Sequence, residues 1–172
     1  MPDELPQKTP ADIAIATSGQ LRIGRAAEMV LSCAEANYHA PVRFFERQIV
    51  AARRVGRPLL LVVFGSNAAF GGNVGAEAYA AEKLALLKYC ELRRRTARTD
   101  QVRIMYLAFG GIWTPFWEKA CASAPPELVA AIRPDPLKAL TVAEVCQTVQ
   151  TLIELPAHVA IGHALITSTE YQ

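Results

Sequence analysis

The sequence has few of the side chains that build metal or redox centres. Its four cysteines, Cys33, Cys90, Cys121 and Cys146, lie far apart, so no CxxC motif exists. Its three histidines, His39, His158 and His163, have no metal-ligand spacing with one another or with a cysteine. No metal is therefore expected. An excess of one charge is also missing. Eighteen Lys and Arg against 16 Asp and Glu leave a net charge of +2, which gives no global drive toward nucleic acid or acidic lipid. The densest basic run is Arg93, Arg94, Arg95 and Arg98, without interleaved aromatics. It reads as a solvated helix end, where cations also favour the helix dipole. No apolar run is long enough to span a bilayer, and the opening MPDELPQKTP is polar and proline-rich, unlike a signal peptide. A cytoplasmic protein with reduced thiols, no membrane segment and no nucleic-acid partner is the expectation.

What is present is an ordinary globular chain. Its 172 residues are 52% hydrophobic, enough for one domain with a core. Residues 1–10 read as a polar leader and residues 11–172 as the domain. Four apolar runs read as strands: residues 13–17 (IAIAT), 59–64 (LLLVVF), 102–108 (VRIMYLA) and 164–168 (ALITS). Runs apolar on both faces belong in a parallel sheet covered by helices on each side. Helical spacing predicts helices over residues 26–55, with a kink at Pro41, and over 74–95 and 141–155. The third opens with Thr141-Val142-Ala143-Glu144, a capping-box pattern. The order strand–helix–strand–helix–strand–loop–helix–strand describes a layered α/β domain.

The chemistry gathers between Ser66 and Lys83. A buried strand delivers Ser66 at its C-terminal end, where open α/β sheets place their sites. Tyr79 follows thirteen residues later, and Lys83 four after that, on one face of a helix. A tyrosine near its free pKa of about 10 is a poor proton-transfer group at neutral pH. A neighbouring ammonium lowers that pKa, and a serine hydroxyl can hold a carbonyl oxygen beside the phenol. Together the three suit carbonyl/alcohol interconversion. Singly, each reads as well as a solvated helix face or a common strand end. Their order and spacing give the pattern its weight. Trp113, Phe116 and Trp117, after the third strand, read first as core or lid packing and second as the wall of an apolar substrate pocket.

In this segment the chain resembles the short-chain dehydrogenase/reductase family. YAAEK matches its YxxxK motif, and the Ser66–Tyr79 spacing matches its usual gap. EANYHAP resembles the helix that carries the family's fourth catalytic residue, with Asn37 as counterpart. ADIAIATSG resembles the strand ending in its NNAG motif, and VRIMYLAFGGIWTPF its strand and Pro-Gly/Ile-x-Thr-Pro loop. The tail around Leu155-Pro156-Ala157-His158 resembles members with that turn before the last strand. The resemblance runs from about residue 11 to the C-terminus. It implies an oxidoreductase using NAD or NADP on a small carbonyl or alcohol. Tyr79 would be the general acid/base, Lys83 its modulator and a ribose ligand, Ser66 the substrate-orienting residue and Asn37 the holder of a relay water. Gly19, Gly110, Ile112 and Thr114 would line the cofactor beside Lys83. The resemblance also implies a homodimer or higher oligomer, its long helices (26–55 and 74–95) pairing with their copies. Leu84, Leu87 and Cys90 supply more apolar positions than one inward stripe needs.

The departures are equally specific. The family's N-terminal TGxxxGxG turn has no counterpart, and Gly71-Gly72-Asn73-Val74-Gly75 lies on the wrong side of Ser66 to replace it. NNAG reads Ala16-Thr17-Ser18-Gly19, and the Pro of Pro-Gly is Phe109. The expected fold is a doubly wound, Rossmann-like parallel sheet missing its N-terminal strands, roughly 70–90 residues by the size of strand–helix units. Three readings cover the unpaired first strand: another chain of this kind completes the sheet in a mixed oligomer, the chain self-associates there, or it is a fragment. Without a phosphate-binding turn the chain alone is expected to hold cofactor weakly or not at all. A non-catalytic binding or assembly subunit is the alternative to an enzyme.

Overall fold

The four apolar runs all form strands, and all four are parallel. The structure, a computed structural model, describes residues 12–24, 33–72, 74–97, 101–122 and 124–171. The polar leader, Arg98 and the first part of the helix expected over 26–55 lie outside the described residues. Strands β1 (Ile13–Ala16), β2 (Leu59–Ser66), β3 (Val102–Phe109) and β4 (His163–Ile166) follow one another across the sheet in sequence order. Leu61 sits beside Ala14 on one side and Ile104 on the other.

Side chains alternate across a strand, so a strand buried on both faces feeds two cores. On one face Leu59, Leu61, Val63, Ile104 and Tyr106 pack under helices α1 (Ala40–Val55) and α2 (Glu77–Ala97), against Phe45, Ile49, Leu86 and Cys90. On the other, Leu60, Val62, Met105, Leu107 and Phe109 pack under α5 (Val142–Ile153) through Val145 and Val149. β1 has only β2 as a strand partner among the described residues, and Ile13 and Ile15 stay about two-fifths exposed, at 41% and 42%.

The helix boundaries carry three corrections. The break expected at Pro41 falls just before it, as a π-helix over Glu35–His39. Pro41 has no N–H for the carbonyl four residues back, and Ala40 instead donates to Glu35 across five residues. The helix expected from residue 74 starts at Glu77. Gly75 turns the chain at φ +86° and gives its N–H to the Glu77 carboxylate at 2.9–3.0 Å. The stretch after β3, expected to be loop, contains two short helices, α3 (Phe116–Cys121) and α4 (Pro126–Ile132). The capping box before α5 forms as its sequence predicts.

Candidate active site

The C-terminal ends of β1, β2 and β3 open into a cavity of about 1140 Å³. Its walls include Gly19, Ser66, Tyr79, Lys83, Gly110, Ile112 and Thr114, every expected site residue except Asn37. Ser66 ends β2 with extended backbone (φ −147°) and caps a short 3₁₀ turn, its Oγ accepting from the Ala68 N–H at 3.2 Å. Tyr79 stands in the first turn of α2, near enough to the Ser66 side chain for that hydroxyl to favour its ionised form. One turn later Lys83 is only 2% exposed, its ammonium 5.6 Å from the Tyr79 ring centroid and donating to the Phe64 carbonyl at 3.3 Å.

Asn37 is fully buried in the π-helix directly behind this wall. Its Oδ1 accepts from Gln20 N–H at 2.7 Å, while Nδ2 donates to the Gln20 carbonyl at 2.7 Å and to Glu82 Oε2 at 2.6 Å. Gly19 explains how these groups meet. A Cβ there would stand 3.3 Å from Lys83 Nζ and 3.4 Å from Asn37 Oδ1, so the absence of a side chain leaves room for both.

The electrostatics depart from the expectation that Lys83 lowers the Tyr79 pKa. Burial raises the Tyr79 pKa, opposed by the Ser66 hydroxyl and supported by the Glu82 charge. Burial also holds Lys83 down at about 8, against the pull of Glu82. Desolvation therefore outweighs the Tyr–Lys attraction in this pair. The phenol is the resting form, which suits proton donation.

Sequence reasoning overlooked three contributors. Glu82, inside YAAEK, anchors Asn37, and only the fold brings two residues 45 apart together. Tyr106, in the buried part of β3, donates its hydroxyl proton to the Lys83 carbonyl at 3.1 Å. Arg133 stacks its guanidinium over Trp113 at 4.9 Å and lines the cavity, with Lys83 the other cation on its wall. Of the expected aromatics, Phe116 and Trp117 open α3, pack against the cluster of Leu21, Ile23, Ala120 and Ile132, and line the cavity. Among the described residues no group of three His, Cys, Asp or Glu could hold a metal, and no helix is long and apolar enough to cross a membrane.

No protein-family model matches the sequence, and no curated protein sequence matches it. Solved structures do match. The closed form of a serine dehydrogenase complexed with NADP+ superposes with a TM-score of 0.82 at 18% identity, over 94% of this chain and 66% of that one. The fold is that of Rossmann-like dehydrogenases. An alcohol dehydrogenase from the archaeon Thermococcus sibiricus, complexed with 5-hydroxy-NADP, gives 0.71 at 20% identity over 95% and 65%. A 4-hydroxyisoleucine dehydrogenase complexed with NADH gives 0.72 at 16% over 91% and 67%. The chain thus spans about two-thirds of the length of these dehydrogenases.

Proposed function

We propose that the cavity is the proton-transfer site of an NAD(P)-dependent oxidoreductase that interconverts a small carbonyl compound and its alcohol. The observation that carries this reading is the meeting of Ser66, Tyr79 and Lys83 on one cavity wall at the C-terminal ends of a parallel sheet. In reduction, the Tyr79 phenol gives its proton to the substrate oxygen while the Ser66 hydroxyl donates a hydrogen bond to that oxygen. The phenolate that forms is stabilised by the Lys83 ammonium. Asn37, held by Gln20 and Glu82, fixes the π-turn against which Lys83 lies. The aromatic wall of Phe64, Phe109, Phe116 and Trp117 excludes water and favours an apolar substrate body.

The nicotinamide end of a dinucleotide fits the residues present. Lys83 has three protons and spends one on the Phe64 carbonyl, which leaves donors for ribose hydroxyls. Gly110, Ile112 and Thr114 face it across the cavity, and Gly19 lets backbone approach Lys83 closely. The cofactor supplies or accepts the hydride. Arg133 is the cation on this wall placed to meet an anionic part of cofactor or substrate. These 172 residues carry no glycine-rich phosphate turn, so their share in dinucleotide binding is the nicotinamide end. The test is NAD(P)H-linked carbonyl reduction by the chain, alone and mixed with a full-length dehydrogenase of the same fold. Turnover that disappears in Tyr79→Phe supports the reading. Turnover untouched by that substitution refutes it.

A further inference from the structure

Tyr106 is fully buried on the α1/α2 face of β3, in a core cluster otherwise built of apolar side chains. Its ring lies against Gly65: a Cβ on that glycine would overlap the ring at 2.1–2.4 Å. Ring and glycine are therefore complementary: a side chain at position 65 has no room while an aromatic ring stands at position 106. A phenylalanine would fill the same space, so the hydroxyl needs its own account. A hydroxyl without partners in an apolar core is costly. This one has two. It donates to the Lys83 carbonyl at 3.1 Å and accepts, more weakly, from the Ser66 N–H at 3.4 Å. Burial raises its pKa, so the donor proton stays in place at any ordinary pH.

Those two partners are the backbones of two residues on the proposed proton-transfer wall. We infer that Tyr106 is a positioning residue, whose ring seats in the Gly65 gap and whose hydroxyl ties the Ser66 end of β2 to the Lys83 turn of α2. The inference rests on the proton-transfer reading of the cavity. α2 is also held near its start, where Gly75 meets the Glu77 carboxylate, and on its α1 side through Glu82 to Asn37 and through Tyr89 and Arg93 to Glu46. Without the Tyr106 bridge, the Lys83 ammonium on the Phe64 carbonyl, a single hydrogen bond at the end of a long side chain, would be the polar tie left between this turn of α2 and β2. Tyr106 touches no reacting atom. It acts through the register of β2 against α2.

Three variants of the full chain test this: Tyr106→Phe, Gly65→Ala and the double variant Gly65→Ala/Tyr106→Val. Tyr106→Phe should fold with a midpoint lowered by a few degrees, while Ser66 amide exchange accelerates and the Tyr79 ¹³Cζ NMR signal shifts. In NAD(P)-linked turnover its kcat should fall roughly 10–100-fold with KM unchanged, the cost of a small misplacement. Gly65→Ala should lose folded protein, and the double variant should recover the fold but not kcat. Recovery of both would assign Tyr106 to packing and overturn the inference. So would a Tyr106→Phe chain with unchanged Ser66 exchange, Tyr79 signal and kcat. If the unaltered chain shows no NAD(P)-linked turnover in any mixture, the proton-transfer reading fails. The exchange and NMR readouts then still decide whether Tyr106 sets this geometry.

Discussion

Lys83 shows at residue scale what burial does to a charged group. The folded chain holds its ammonium 2% exposed with a pKa near 8, against 10.5 for the free group. A depressed lysine pKa means that the unfolded chain binds more protons between those values. Its penalty is complete below pH 8 and is relieved as pH rises through 8 toward 10.5, about 3 kcal/mol in all. Lys83→Met should therefore be more stable than the parent at pH 7, with the difference shrinking from pH 8 to 9.5. Urea unfolding of both proteins across that range checks it, and comparing them cancels the opposing rise in the Cys90 pKa to about 12. The same titration bears on chemistry: if Lys83 stabilises the phenolate as an ammonium, carbonyl reduction should decline as pH passes 8. Asn37 is the converse case, a buried polar group with its partners supplied. Asn37→Ala strands the Gln20 backbone and a Glu82 oxygen and should cost roughly 2–4 kcal/mol. Ser66, Tyr79 and Lys83 were legible in the sequence because strand end and helix turn fix their spacing locally. Glu82, Tyr106 and Gly65 were not, because their meaning lies in contacts across 23 to 45 residues or between adjacent strands.

At the scale of elements, the four strands and the two later long helices were readable because apolar runs and strong helix formers leave few alternatives. Where boundaries moved, one residue was responsible. Gly75 delayed the start of α2, and Pro41 traded an α-turn for the π-turn that presents Asn37. The helices α3 and α4, of six and seven residues, are too short to impose a period on the sequence. Their worth is tertiary: with Leu21, Ile23 and Ala76 they close a third apolar cluster beside the cavity. α5 forms another part of the cavity wall through Val142, Val145 and Val149, and its start depends on Thr141. Thr141→Ala removes the acceptor for the Glu144 N–H at 3.2 Å and the hydroxyl's own bond to the Glu144 carboxylate at 2.8 Å, while the backbone N–H of residue 141 still reaches that carboxylate. It should lower stability by about 1 kcal/mol in urea unfolding, with the fold intact by circular dichroism.

The whole molecule presents two long helices on one side of its sheet. Leu87 and Cys90, expected as surplus apolar positions for a partner, belong to the core at 4% and 0% exposure. They turn inward with Leu86, toward the sheet. Leu84 remains outside at 48%, joined by Leu92 at 53% and Val50 at 42%. The apolar residues exposed on these helices are thus a different set from the one the sequence suggested. A dimer through α1 and α2 should appear in light scattering, and Leu84→Glu/Leu92→Glu should shift it to monomer without unfolding. On the proposed reading, the cavity's own residues, led by Lys83, hold the nicotinamide end of the cofactor. Calorimetric titration of the chain and of Lys83→Met with NADH and with reduced nicotinamide mononucleotide tests it directly. Weak, roughly millimolar binding that is similar for both ligands and lost in Lys83→Met is the expected result. Micromolar NADH binding with none for the mononucleotide, no saturable binding of either, or binding indifferent to Lys83 would contradict it.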